Sequence, residues 1–195
     1  MNLLVFIEDN FNDIELVIPL SIWKKSNMFD KITFYHKFLT QASGQFGFTK
    51  IENIDKTIDL DEYDFVFIPG GRGAQALREN KDALDKIQEW INKDKNMAAI
   101  CDAPNVLAEH QIIKKKDFTG YPSQWSREFR KGINYQDESI VIDKNIITGK
   151  SAFAAEKLAY KVLQVLFGDD VAINTYQQIS GNSDTEKILE ILNTH

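Results

Sequence analysis

Three things are scarce in this chain. Of its 195 residues one is cysteine and four are proline, and there is no basic excess: 23 Lys and Arg stand against 29 Asp and Glu, a formal net charge of -6. A lone thiol excludes an internal disulfide framework and leaves Cys101 as either a buried structural side chain or a functional one, both compatible with a reducing cytosol. The acidic balance argues against a nucleic-acid partner, because phosphate contacts need a basic face and the run Lys114 to Lys116 is too short to make one. Long apolar runs are missing too. The opening MNLLVFIEDN has no positive n-region and too short a core for a signal peptide, and nothing later reaches transmembrane length. A cytoplasmic protein without a membrane partner is expected. No repeat, low-complexity tract or Pro/Gly/Ser linker divides the chain, so one domain is expected over 1–195, with a core to residue 170 and a C-terminal strand/helix extension over 171–195.

What is present is enough apolar material for a real core, 43% of residues hydrophobic and 11% aromatic,. Leu3 to Ile7 reads as a short buried strand, and Ile14, Val17, Ile18 and Ile22 then carry helical spacing toward Trp23. KITFYHKF, DFVFIPG, NMAAIC and the pair SIVID and NIITG are further strands. Helical stretches cover Ala74 to Arg78, Asp82 to Asn92, Pro104 to His110 and Ala152 to Phe167. This alternation predicts an α/β sandwich around a mostly parallel sheet. The capping-box pattern Ser183 to Glu186 predicts a terminal helix over the apolar positions that follow.

Cys101 falls where the strand MAAI must turn into a helix whose first turn accepts Pro104. A nucleophile elbow needs small residues two before and two after the nucleophile, because the strained turn brings them against neighbouring backbone. Here they are Ala99 and Ala103. Helix amides at such a turn are expected to lower a thiol pKa and make it reactive; a buried structural cysteine is the alternative. No histidine is an obvious base. His110 lies roughly 13 Å down the following helix, His195 is terminal, and His36 reaches the thiol only if its strand ends beside it.

The loop IPGGRGAQAL follows a strand and opens a helix, so the amides around Gly70 and Gly71 can face an anion or a developing oxyanion. Gly71, Gly73 and Ala76, with Asp102 after the next strand, also fit a dinucleotide fingerprint, although not in the first βαβ unit where it belongs. A plain glycine turn is the third reading. The stretch EDNFNDIELVIP concentrates carboxylates at the carboxyl edge of strand one. Glu15 can point at the thiol as a general acid or base, or serve with Asn12 as a capping box; spacing does not choose between them.

Taken together, ELVIP (Glu15 to Pro19), IPGGRGAQAL (Ile68 to Leu77), AAICDAP (Ala98 to Pro104) and IITGKSAFAAEKLAYKVLQVL (Ile146 to Leu166) resemble the ThiJ/PfpI superfamily, the DJ-one-like proteins related to class I glutamine amidotransferase domains. The resemblance covers roughly residues 1 to 170. It implies a flavodoxin-like three-layer sandwich, a homodimer, a Glu15 carboxylate bonded to a Cys101 thiolate, and an oxyanion pocket from the amides of Gly71 and Asp102. It implies no metal and no cofactor. Members include glyoxalase III enzymes that turn methylglyoxal into lactate, protein deglycases, chaperones, oxidation sensors, proteases and isocyanide hydratases. Two departures bear on the reaction. Asp102 stands where the protease-like branch has a histidine, which argues against proteolysis. Tyr121 stands before Pro122 where the glyoxalase-like branch often has another; it can donate a hydrogen bond but is a poor base. The expected activity is addition of Cys101 to small carbonyl or peroxide electrophiles; the alternatives are a non-enzymatic oxidation sensor or chaperone, and a nucleotide-binding module. Trp125 is either a roof over the site or a core or interface aromatic.

Overall fold

A computed structural model of the chain describes residues 1–132 and 134–194. The expected alternation becomes a seven-stranded sheet in the order β5-β2-β1-β6-β7-β9-β8. Its members are β1 (Asn2–Phe6), β2 (Lys31–Tyr35), β5 (Ile54–Asp55), β6 (Phe65–Ile68), β7 (Asn96–Ile100), β8 (Ile140–Asp143) and β9 (Ile146–Gly149). All neighbours run parallel except β8 against β9. A separate antiparallel hairpin pairs β3 (Ala42–Ser43) with β4 (Lys50–Ile51). The helices are α1 (Asp13–Ser26), α2 (Gly73–Leu77), α3 (Lys81–Asn92), α4 (Asp102–Glu109), α5 (Ala155–Phe167), α6 (Asp169–Ser180) and α7 (Thr185–Asn193).

The central strands read as continuous apolar runs because helices cover both faces. Their side chains then divide by alternation: Phe65 and Phe67 join the core beneath α1 and α5, while Val66 and Ile68 join the core beneath α3 and α4,. Trp23 keys the first of these, its ring edge-on to Phe67 at 5.0 Å and its indole N–H donating to Ala159 O at 3.0 Å. This is a flavodoxin-like sandwich, as expected. Among the described residues no helix is long and apolar enough to cross a membrane.

The C-terminal extension differs from expectation. Among the described residues it contains no strand, only α6 and α7. Gly168, with φ at +89°, breaks what would otherwise be one long helix between α5 and α6, a conformation that glycine adopts without penalty. The terminal helix is capped one residue later than its capping box implies, by Asp184, whose side chain accepts from the Lys187 amide.

Candidate active site

β1, β6, β7 and β9 are parallel neighbours, so the loops leaving them open at one carboxyl edge, where sites gather in such sheets. Cys101 stands at the centre of this edge with φ 64° and ψ -119°. For a residue other than glycine such a backbone costs about 1–3 kcal/mol and persists only where its surroundings hold it. They do. The Cys101 amide donates to Gly149 O and its carbonyl accepts from the Tyr121 amide, both at 2.8 Å. Ala99 and Ala103, the small residues on either side, are fully buried.

The clamp on the elbow extends beyond the residues its pattern suggests. Asn105 Nδ2 donates to Asp102 Oδ1 at 2.9 Å and to Tyr121 O at 2.8 Å, and Ser123 Oγ donates to the same Asp102 oxygen at 2.7 Å. The Asp102 side chain therefore ties the start of α4 to the segment 121–123. An asparagine in the first turn of a helix, where local side-chain bonds compete with helical ones, is the sequence signal for Asn105.

Glu15 is fully buried. Its Oε2 accepts from the Gly70 amide at 3.0 Å, and its Oε1 has no hydrogen-bond partner although it is closed off from solvent. Asn12 alone caps α1, accepting from the Ile14 amide at 3.0 Å. Spacing left two roles open for Glu15; packing assigns it to the thiol. Gly70 is what lets the two meet, since a Cβ there would lie 2.7 Å from Ile100 O and 2.8 Å from both Cys101 Cβ and Glu15 Oε2. Burial pushes the Glu15 carboxyl up to about 7, against the opposing pull of the Cys101 thiol and the Gly70 amide. The expectation that the elbow lowers the thiol pKa does not hold. Burial and then the Glu15 charge push the Cys101 thiol up, outweighing the Gly71 amide that favours the thiolate. Burial thus favours the protonated form of both groups,.

The glycine loop closes against protein. A Cβ on Gly71, whose φ is +83°, would sit 2.4 Å from the Asn12 amide nitrogen, and one on Gly73 would sit 2.9 Å from Asp9 O. These glycines admit the first loop's backbone, which accounts for them without a pyrophosphate. The Gly71 amide faces the Cys101 sulfur and favours its thiolate, and Asp102 is the first residue of α4.

A cavity of about 590 Å³ opens over the thiol, lined among others by Glu15, Gln45, Arg72, Tyr121, Trp125 and Phe153. The larger groove, about 880 Å³ along α1, contains none of the elbow residues. Tyr121 is 45% exposed on the cavity wall, and Trp125 lies in the same wall under the Arg78 guanidinium, 4.4 Å from its ring centre. Trp125 thus serves both readings, also packing against the core beneath α4. Gln45 and Phe153 carry no local signal in the sequence. One arrives on the hairpin loop and the other on the turn after β9. The histidines stay away: His36 Nε2 lies 3.1 Å from Glu8 Oε2, and His110 caps the far end of α4. His195 lies outside the described residues. Among the described residues no cluster of His, Cys, Asp and Glu could hold a metal ion.

The model of the DJ-1/PfpI family matches residues 1–165. The chain belongs to the DJ-1/PfpI family. Among its relatives in that family, YraA of Bacillus subtilis, named as a candidate cysteine protease, is 27% identical over 163 residues, spanning 83% of this chain and 96% of its own. A deglycase of Pyrococcus abyssi is 25% identical over 153 residues, 77% of this chain and 90% of its own. The crystal structure of Drosophila melanogaster DJ-1beta superposes with a TM-score of 0.78 at 24% identity, covering 92% of this chain and 98% of that one. DJ-1/PfpI membership agrees with the fold and leaves the reaction to be argued from the site.

Proposed function

We propose that this protein is a cofactor-independent enzyme of the glyoxalase or deglycase type, in which Cys101 adds to the carbonyl carbon of a 2-oxoaldehyde or of the adduct it forms with an amine. The observation that carries this is the Glu15 carboxyl buried against the Cys101 thiol, with its Oε2 held by the Gly70 amide. A raised thiol is a poor standing nucleophile, but a neighbouring carboxyl titrating near neutrality is suited to take its proton as the electrophile arrives,. For a 2-oxoaldehyde the sulfur bonds the aldehyde carbon and the thiol proton passes through Glu15 to the new alkoxide, which the amides of Gly71 and Asp102 stabilise. Glu15 then removes the proton from that carbon and returns one to the adjacent carbon. The resulting thioester is hydrolysed by water to the 2-hydroxy acid and the free thiol, with no external oxidant. In this reading Tyr121, from the cavity wall, donates to a substrate oxygen. Relatives named as deglycases are consistent with this reading, and a reducing cytosol would keep the thiol available.

The test is lactate formation from methylglyoxal, with Cys101→Ser and Glu15→Gln beside the wild type. Turnover that falls about 10²–10⁴-fold in both variants is the expected result. A wild type that turns over no 2-oxoaldehyde, or undiminished turnover by Cys101→Ser, would sink the proposal. A homodimer is part of it, seated on the α1 face, where Ile14, Val17 and Phe48 are exposed beside the larger groove. Sedimentation of the wild type as a monomer at micromolar concentration would remove that element.

A further inference from the structure

The smallest 2-oxoaldehydes are poor tenants for the cavity over Cys101. Its volume of about 590 Å³ falls in the range of about 300–1,000 Å³ that encloses drug-sized ligands. Its mouth is aromatic. Tyr121, Trp125 and Phe153 all line it, and Phe153 stands fully in solvent at 101% relative exposure, against 45% for Tyr121. One exposed phenylalanine needs no explanation. Three aromatic rings around the opening above a strained cysteine do, because an apolar surface converging on a reactive group is where a substrate's own apolar part is removed from water.

The backbone that carries these rings is held in place. Trp125 lies under the guanidinium of Arg78, which is itself fixed by two 2.7 Å hydrogen bonds to the Glu109 carboxylate. Tyr121 is held through its backbone at both ends, its amide to Cys101 O and its carbonyl to Asn105. Phe153 sits in the short 3-10 turn Ala152–Ala154, closed by the Ala154 amide on Ser151 O at 2.8 Å. Of the three rings Trp125 is held by a side-chain neighbour, while Tyr121 and Phe153 are anchored through their backbone and offer their ring faces to an incoming flat group.

We infer that the substrate carries an aryl group, or an equally broad flat apolar group, on the carbon next to the one attacked, and that Phe153 is the residue selecting it. The carbonyl lies at Cys101 between the Gly71 and Asp102 amides, and the ring lies outward against Phe153, with Tyr121 and Trp125 at its edges. This rests on the cysteine reading above and names its substrate class.

The experiment compares phenylglyoxal with methylglyoxal as substrates, in initial rates taken before phenylglyoxal modifies arginines, for the wild type, Phe153→Ala and Phe153→Leu. Mandelate and lactate, the two products, are also titrated onto Cys101→Ser protein by calorimetry. The wild type is expected to favour phenylglyoxal in kcat/KM. Phe153→Ala should lower the phenyl-to-methyl ratio about five- to tenfold, the size of an aromatic pair, with Phe153→Leu between. Mandelate should bind more tightly than lactate and lose that advantage in the Phe153→Ala, Cys101→Ser double variant. Turnover of both aldehydes with a ratio that Phe153→Ala leaves alone would overturn the inference while leaving the cysteine chemistry standing, as would a Phe153→Ala protein altered only in its oligomeric state. Failure of the wild type to turn over either aldehyde would instead remove the cysteine reading, and mandelate binding no tighter than lactate would then overturn this inference independently.

Discussion

Two corners of the same sheet edge each bury a carboxylate beside another titratable side chain, and they have opposite characters. At one, Glu8 accepts from Asn80 at 2.6 Å through Oε1 and meets His36 Nε2 at 3.1 Å through Oε2. His36 Nδ1 in turn accepts from the amides of Phe38 and Leu39, and Asn80 caps α3 by accepting from the Ala83 amide. Every group in that corner is answered. At the other, Glu15 is held through one oxygen by Gly70 while Oε1 has no hydrogen-bond partner, next to a thiol in a strained backbone. Burial raises both carboxyls, Glu8 against its Asn80 and His36 partners and Glu15 as far as about 7. Burial and a neighbouring titratable group therefore do not distinguish a structural network from a reactive one. What sets the second corner apart is the strained backbone at Cys101,.

The comparison breaks most readily at Glu15. Burial pushes its folded carboxyl up to about 7 from the ordinary 4.5, so the buried group is comfortable when protonated and uncomfortable when charged. Its contribution is complete below pH 4.5 and is lost as pH rises through about 7,. Glu15→Gln, which keeps the neutral shape, should therefore match the wild type in urea unfolding at pH 4. At pH 8 it should exceed the wild type by up to about 3 kcal/mol while losing turnover. Equal stability at pH 8 would mean that the charge is not buried as described. The same variant removes the anion beside Cys101, so its thiolate absorbance should appear at lower pH than in the wild type.

Gly70→Ala pushes a methyl group into the contact among Ile100, Cys101 and Glu15. A loss of about 1–3 kcal/mol in stability is expected, together with an altered rate of Cys101 alkylation by iodoacetamide, since the carboxylate must move. An unchanged rate would show that Glu15 does not govern the thiol. Asn80→Ala should cost about 1–2 kcal/mol through the lost helix cap and an unanswered Glu8 oxygen, and should leave the alkylation rate as it was. A change in that rate would show that the two corners are coupled.

Much of this could be read along the chain because it is local or periodic. Continuous apolar runs marked the buried central strands, and the strand, Ala99-x-Cys101-x-Ala103 and Pro104 marked the elbow, since the steric demands of such a turn fall on residues two positions away. The hairpin of β3 and β4 and the strand β5 were not legible. At two residues each they are too short for a period of two to register. Gln45 and Phe153 were not legible either, because each acts on segments remote in sequence.

By itself, then, the sequence determined the sandwich, the edge at which chemistry gathers and the identity of the cysteine, all set by side-chain periodicity and backbone sterics within a few residues. Only the tertiary structure decided which way Glu15 turns. The same spacing serves a helix cap equally well, and the choice came from Gly70, 55 residues away, whose missing side chain leaves room for the carboxylate and whose amide holds it there. It also set the direction in which both groups shift, because burial against parallel strands is a property of the assembled sheet, and that burial outweighs the Gly71 amide that favours the thiolate.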